Sequence, residues 1–158
     1  MRLLAVFALV AVIVAVPAFA APPQAKVLVR STTVGKVLVD ARGRTLYLRA
    51  IDTPGKSTCY GSCAAAWPPF VTAGKPRAGS GVKPALLGTA KRKDGTLQVT
   101  YAGHRLYFYG QDTKAGQILG QATGGIWWVL GASGQKITKT SPPPPGTTTG
   151  GGYGGYGP

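Results

Sequence analysis

The chain repeats itself. Laid over itself at an offset of 60 residues, with no gap, it places Gly35 on Gly95, Val39 on Val99, Gly43 on Gly103, Leu46 on Leu106 and Tyr47 on Tyr107. The match continues with Asp52 on Asp112, Thr53 on Thr113, Trp67 on Trp127 and Gly74 on Gly134. Two of the four acidic residues and two of the three tryptophans fall in register, and such scarce types rarely coincide by chance. A period of this length means two copies of one supersecondary unit, each with an apolar face that its neighbour must cover.

The repeat also predicts the strands. The first copy offers 26–31, 36–40 and 45–50; the second offers 86–92, 96–101 and 105–110. These runs are rich in Val, Leu and Tyr and are separated by turn residues. Asp94-Gly95 is a two-residue hairpin signal, and Arg42-Gly43 and Gly103-His104 mark the next turns. A fourth strand is expected near 69–72 and at 126–131, with an edge strand at 136–138. The reading is all-β: two pseudo-symmetric four-stranded antiparallel meanders packed on each other, about 26–80 and 86–139. Two meanders cannot close a propeller. Alternation puts Leu46, Leu48, Leu106 and Phe108 toward the core, with Tyr47, Arg49, Tyr107 and Tyr109 on the opposite face. The second strand is apolar on both faces, so its outer side is expected under a loop.

Both ends differ from this frame. Arg2 is followed by 14 apolar residues, Leu3 to Val16. That run is shorter than the roughly 20 a membrane span needs. Pro17 and Ala18-Phe19-Ala20 complete a signal peptide, residues 1–20, cut before Ala21. No Cys follows the cut, so the mature chain has no lipid attachment there and no transmembrane span. Residues 140–158 form a tail in which 12 of 19 residues are Pro or Gly. Such a segment is expected to be disordered.

Composition narrows the chemistry. Lys and Arg number 18 against 4 Asp and no Glu, a formal net charge of +14. His104 is the only His, so a multi-His zinc site is excluded, and no phosphate-binding Gly-rich loop is present. No catalytic residue, metal or cofactor is therefore expected, and the chain reads as a non-enzyme. A basic exported protein favours anionic envelope polymers as partners over specific nucleic-acid recognition.

Three motifs carry the remaining information. Tyr47 and Asp52, repeated as Tyr107 and Asp112, read in two ways: the Asp shapes a turn, or Tyr and Asp line two related ligand sites. Cys59-Tyr-Gly-Ser-Cys63 reads as a structural disulfide in an oxidising compartment. A short helical turn capped by Ser62 follows it, near 63–66. The alternatives are a copper site or a redox dithiol with an electron-transfer role. Lys91-Arg92-Lys93 reads as a solvated hairpin tip. Trp67 and Trp127 are the paired aromatic positions of the two copies.

The stretches LVDARGRTLYLRAIDTPGKSTCYGSCAAAWPPF, KRKDGTLQVTYAGHRLYFYGQDT and GGIWWVL resemble a bacterial family of secreted and lipoprotein repeats of unknown function, which carries a Tyr-x-aromatic-x-x-Asp motif. Tyr107, Tyr109 and Asp112 match that motif in full. Tyr47 and Asp52 match it with Arg49 in the aromatic place. The resemblance implies tandem repeats, an extracytoplasmic address and a bacterial origin, and it implies no activity. The function expected from all of this is that of a noncatalytic, envelope-associated repeat protein.

Overall fold

A computed structural model describes residues 22–140. The expected signal peptide and nearly all of the expected tail lie outside the described residues. The core is all-β with one short helix. Among the described residues, nine strands run as β1 Lys26–Thr32, β2 Gly35–Asp40, β3 Tyr47–Arg49, β4 Val71–Thr72, β5 Arg77–Ala78, β6 Leu87–Lys91, β7 Leu97–Tyr101, β8 His104–Arg105 and β9 Trp127–Val129. Helix α1 is Ser62–Ala66. Gly61, not Ser62, occupies its N-cap position, and no side chain caps it.

The hairpins form where the turn residues predict. β1 pairs antiparallel with β2, β6 with β7, and β7 with β8. Their loops differ between copies in compensating ways. The first hairpin has two loop residues in copy one, since Thr32 pairs with Gly35. In copy two it has three, Lys93 to Gly95, because the Arg92 N–H bonds the Thr96 carbonyl. Asp94-Gly95 therefore belongs to a three-residue loop with Gly95 at φ 84°, rather than the two-residue turn expected. The second hairpin reverses the difference. Asp40 bonds Arg44 across a three-residue loop, whereas Tyr101 pairs directly with His104 across Ala102-Gly103.

The net effect is that β2 and β7 correspond at an offset of 61 while the flanking strands keep 60. Val99 is thus the counterpart of Leu38, not of Val39. Burial agrees: Leu38 and Val99 share one core cluster and Val39 lies in the other.

The larger departure from the expected meanders lies in the fourth strands. Each pairs with the other copy. β9 of copy two pairs antiparallel with β3 of copy one, and β4 of copy one pairs antiparallel with β7 of copy two. Backbone bonds extend the exchange: Leu38 N–H to the Leu130 carbonyl at 2.9 Å, and Val99 N–H to the Phe70 carbonyl at 2.8 Å. Pro68 and Pro69 cut short the first-copy strand, because proline offers no N–H to a ladder. β5 adds a short parallel pairing to β1 that hydrophobic alternation does not signal. At Lys136 a single bridge to Leu130 stands where an edge strand was expected.

Exchange produces two cores. One holds Leu38, Leu46, Leu48, Val99, Leu106, Phe108 and Leu130, the face assigned inward from alternation. The other holds Val37, Val39, Tyr47, Trp67, Tyr107, Trp127 and Val129. The tyrosine face is therefore buried as deeply as the leucine face, with Tyr47 and Tyr107 at 0% exposure.

Candidate functional site

The two copies meet at the motif tyrosines. Tyr47 and Tyr107 exchange both backbone hydrogen bonds, N–H to carbonyl, each at 2.9 Å. Val129 lies beside Tyr47 and Pro69 beside Tyr107, so the row Val129, Tyr47, Tyr107, Pro69 runs across the junction. Both phenols leave this row toward the second core. There each meets the Asp of the opposite repeat: the Tyr47 hydroxyl donates to Asp112 Oδ2 at 2.5 Å, and the Tyr107 hydroxyl donates to Asp52 Oδ2 at 2.5 Å.

The remaining Asp oxygens fasten the loops that follow. Asp112 Oδ1 accepts the Leu119 N–H at 2.9 Å. Asp52 Oδ1 accepts the N–H and the hydroxyl of Thr58 at 2.9 and 2.7 Å. Each motif Asp therefore organises a loop in its own repeat and holds a tyrosine of the other. Hydrogen bonds to a charged acceptor stabilise by about 1.5–3 kcal/mol each. Burial raises the pKa of Tyr47, and the Asp112 charge raises it further. Tyr107 is pushed up to about 12, first by burial and then by its bond to Asp52. Burial also raises Asp112, against the lowering effect of its two donors.

The paired tryptophans stack face to face on the same junction, with centroids 3.9 Å apart and planes 2° from parallel. Trp67 also meets Tyr47 edge-on at 5.4 Å, and Trp127 meets Tyr107 edge-on at 5.2 Å. Tyr109 stacks on the outer face of Trp67 at 4.3 Å. Its counterpart Arg49 lies over Trp127, with its guanidinium carbon 5.5 Å from the ring centroid. The departure of copy one from the aromatic motif is thus a replacement of stacking by a cation–π layer. Gly120 closes the stack from the side. A Cβ there would lie 2.6 Å from the Trp67 ring, so no larger residue fits without movement.

Cys59 and Cys63 form a disulfide, with sulfurs 2.07 Å apart and Cα atoms 5.2 Å apart. With both sulfurs bonded to each other, neither is free to ligate copper in this state. Among the described residues, no group of three or more His, Cys, Asp or Glu side chains gathers in a metal-binding arrangement.

Lys91 and Lys93 are exposed at the hairpin tip as expected, but Arg92 is not. It is 4% exposed and reaches inward, donating to Gln98 Oε1 at 2.8 Å and to the Cys59 carbonyl at 2.9 Å. Arg105, equally buried, bonds the Gly55 carbonyl at 2.7 Å and shares Gln98 Oε1 at 3.4 Å. The sequence holds a signal for this pair. At the corrected offset, Gln98 stands where copy one has the core residue Val37, so a buried polar cluster is expected there. The uncorrected offset hides it.

Two shallow cavities flank the junction. One, about 110 Å³, lies between the segment after β3 (Arg49, Asp52, Pro54) and the β7–β8 hairpin (Gly103, His104, Arg105). The other, about 100 Å³, lies between Arg44 and Thr45 of copy one and Tyr109, Gly110 and Asp112 of copy two. They occupy corresponding places in the two repeats. His104, exposed as expected but the first residue of β8 rather than part of the turn, stands at the first one.

Residues 28–71 and 88–131 each match the model of a family described as a secreted repeat of unknown function. No curated protein and no solved structure matches the chain.

Proposed function

Since the chain belongs to this family of secreted repeats of unknown function, we propose that its core is a noncatalytic envelope module that holds anionic surface polymers by charge. The observation that carries this reading is where the four carboxylates point. Asp40 is bound to the Arg44 guanidinium at 2.9 Å, and Asp94 to the N–H and hydroxyl of Thr96. The Thr96 donors hold Asp94 below the usual carboxylate range. Asp52 and Asp112 are taken up by the interlocked tyrosines and loops. Every acid is thus engaged within the chain, while Lys36, Arg42, Lys56, Lys75, Lys83 and Lys114 are exposed.

Such a distribution leaves a positive surface whose field concentrates polyanions. The motif residues support the noncatalytic part, because they already have partners in the clasp. Among the described residues, no helix is long and apolar enough to cross a membrane.

Passing the mature protein over immobilised bacterial cell wall tests the reading. Retention at about 50 mM salt and release by about 0.5 M is expected, as ionic screening shortens the reach of the charges. Flow-through at low salt, or retention indifferent to salt, would contradict it.

A further inference from the structure

We propose that the first of the two cavities is an oxyanion site, taking one phosphate or carboxylate group of an anionic polymer between Arg49 and Arg105. The inference deepens the charge-binding reading and rests on it. Its ground is the difference between two cavities of nearly equal size and corresponding position. In the second, the cation is already matched: Arg44 is held by Asp40 at 2.9 Å and its guanidinium carbon lies 3.9 Å over Phe108. Where the first cavity has Arg49 and Arg105, the second has Tyr109 and Thr45.

In the first cavity neither arginine has an ion-pair partner, although Arg49 lies over the Trp127 ring, and the two cations outnumber the one carboxylate, Asp52. Arg49 donates to the Thr58 hydroxyl. Arg105 donates to the carbonyls of Gly55, Lys91 and Ala90 and to Gln98, all neutral. Among the described residues, neither guanidinium has a carboxylate within 4.0 Å. The Nε of each is buried without an acceptor. Asp52 also lines the cavity, but its two oxygens already take three hydrogen bonds, from Thr58 and Tyr107.

A buried charge without a counter-ion is costly, and a buried N–H without an acceptor adds to that cost. A phosphate or carboxylate supplies the missing negative charge, in a form that guanidinium groups match. The cavity, about 110 Å³, suits one such group but not a sugar ring with it, so the polymer would present its charged group inward and remain outside. His104 at the edge can add a further donor.

Heteronuclear NMR of the Arg49 and Arg105 Nε–Hε pairs tests this directly. Inorganic phosphate and glucuronate are titrated separately into the millimolar range. Saturable shifts of both pairs are expected with at least one probe. Phosphate alone identifies a phosphodiester polymer, glucuronate alone a uronate polymer, and both a general oxyanion site. Absence of saturation with either probe overturns the proposal.

Two variants borrow residues from the other repeat. Arg49→Tyr installs the layer found at Tyr109, and at least about a tenfold loss of affinity is expected. His104→Arg installs the residue found at Arg44, and a gain of roughly threefold is expected. Wild-type affinity in Arg49→Tyr overturns the site. Salt-sensitive retention on cell wall without any saturable shift overturns the cavity and leaves the surface reading standing. Saturable shifts without retention do the reverse.

Discussion

In the first repeat the span from Asp52 to Trp67 carries a covalent closure, Cys59–Cys63, and Arg92 of the second repeat donates to its Ser57 hydroxyl and Cys59 carbonyl. In the second repeat the span from Asp112 to Trp127 has no cysteine. There Gln121 acts as the clip, its amide donating to the carbonyls of Ile137 and Lys139 while its Oε1 accepts the Val129 N–H. The frame common to both is the tyrosine, the aspartate of the other copy and the tryptophan. The two copies share the tyrosine–aspartate–tryptophan frame and differ in how each following loop is fastened, by a disulfide and second-copy arginines in one and by Gln121 in the other.

This comparison can be broken in graded steps. The largest effect is expected from the shared stack. Trp67→Ala should cost about 3–5 kcal/mol in denaturant melts, as large-to-small changes of buried aromatics do. Trp127→Ala should cost somewhat less, because Trp67 packs on Trp127, Tyr109 and Gly120 together. The reverse order would mean that the cation–π layer of Arg49 outweighs the aromatic layer of Tyr109.

Next comes the covalent difference. Replacing both cysteines by serine should remove about 2 kcal/mol, the chain-entropy value for so small a loop. Hydrogen exchange should speed up around residues 57–63 and leave 119–127 near its wild-type rate. Equal acceleration in both repeats would show that the bridge acts on the whole core.

The clasps should match that or fall below it, and unequally. Tyr47→Phe leaves Asp112, 7% exposed, with one donor. Tyr107→Phe leaves the half-buried Asp52 with two donors from Thr58. Losses of about 2 kcal/mol for the first and about 1.5 kcal/mol for the second are expected from thermal or urea melts.

The smallest effect at neutral pH is the one that alkali reveals. The phenols of Tyr47 and Tyr107 are harder to ionise in the folded chain than the ordinary value of about 10. Their contribution to stability is complete below that value. It falls as pH rises through about 12, the value for Tyr107. Tyrosinate absorbance from these two residues should be absent from the folded chain near the ordinary value of about 10; its appearance there in a chain still folded would contradict the burial of the clasps.

Much of this was legible in the residues. The period, the hairpins, the all-β class and the inward leucine face follow from spacing and alternation. The exchange of fourth strands was not, and the reason is physical. Two copies with the same pattern offer the same edges, so Trp127–Val129 satisfies either repeat by alternation alone. The compensating loops, one residue longer in one hairpin and shorter in the other, were hidden because a gap-free overlay still aligns the glycines. Arg92 sits in a charged run that looks solvated, and only the buried Gln98, whose Oε1 accepts from its guanidinium, shows that it turns inward. The motif tyrosine and aspartate lie five residues apart in each copy, which suggests a local partnership; the reciprocal pairing needs the third dimension.

That reciprocal pairing is the central claim, and a pair of double-mutant cycles measures it. Tyr47→Phe is combined with Asp112→Asn, its partner across the repeats, and separately with Asp52→Asn, its neighbour in sequence. A clasp between repeats gives a coupling of about 1 kcal/mol or more for Tyr47 with Asp112, and near-additivity, within about 0.5 kcal/mol, for Tyr47 with Asp52. Coupling that follows the sequence instead, strong for Asp52 and absent for Asp112, would contradict it.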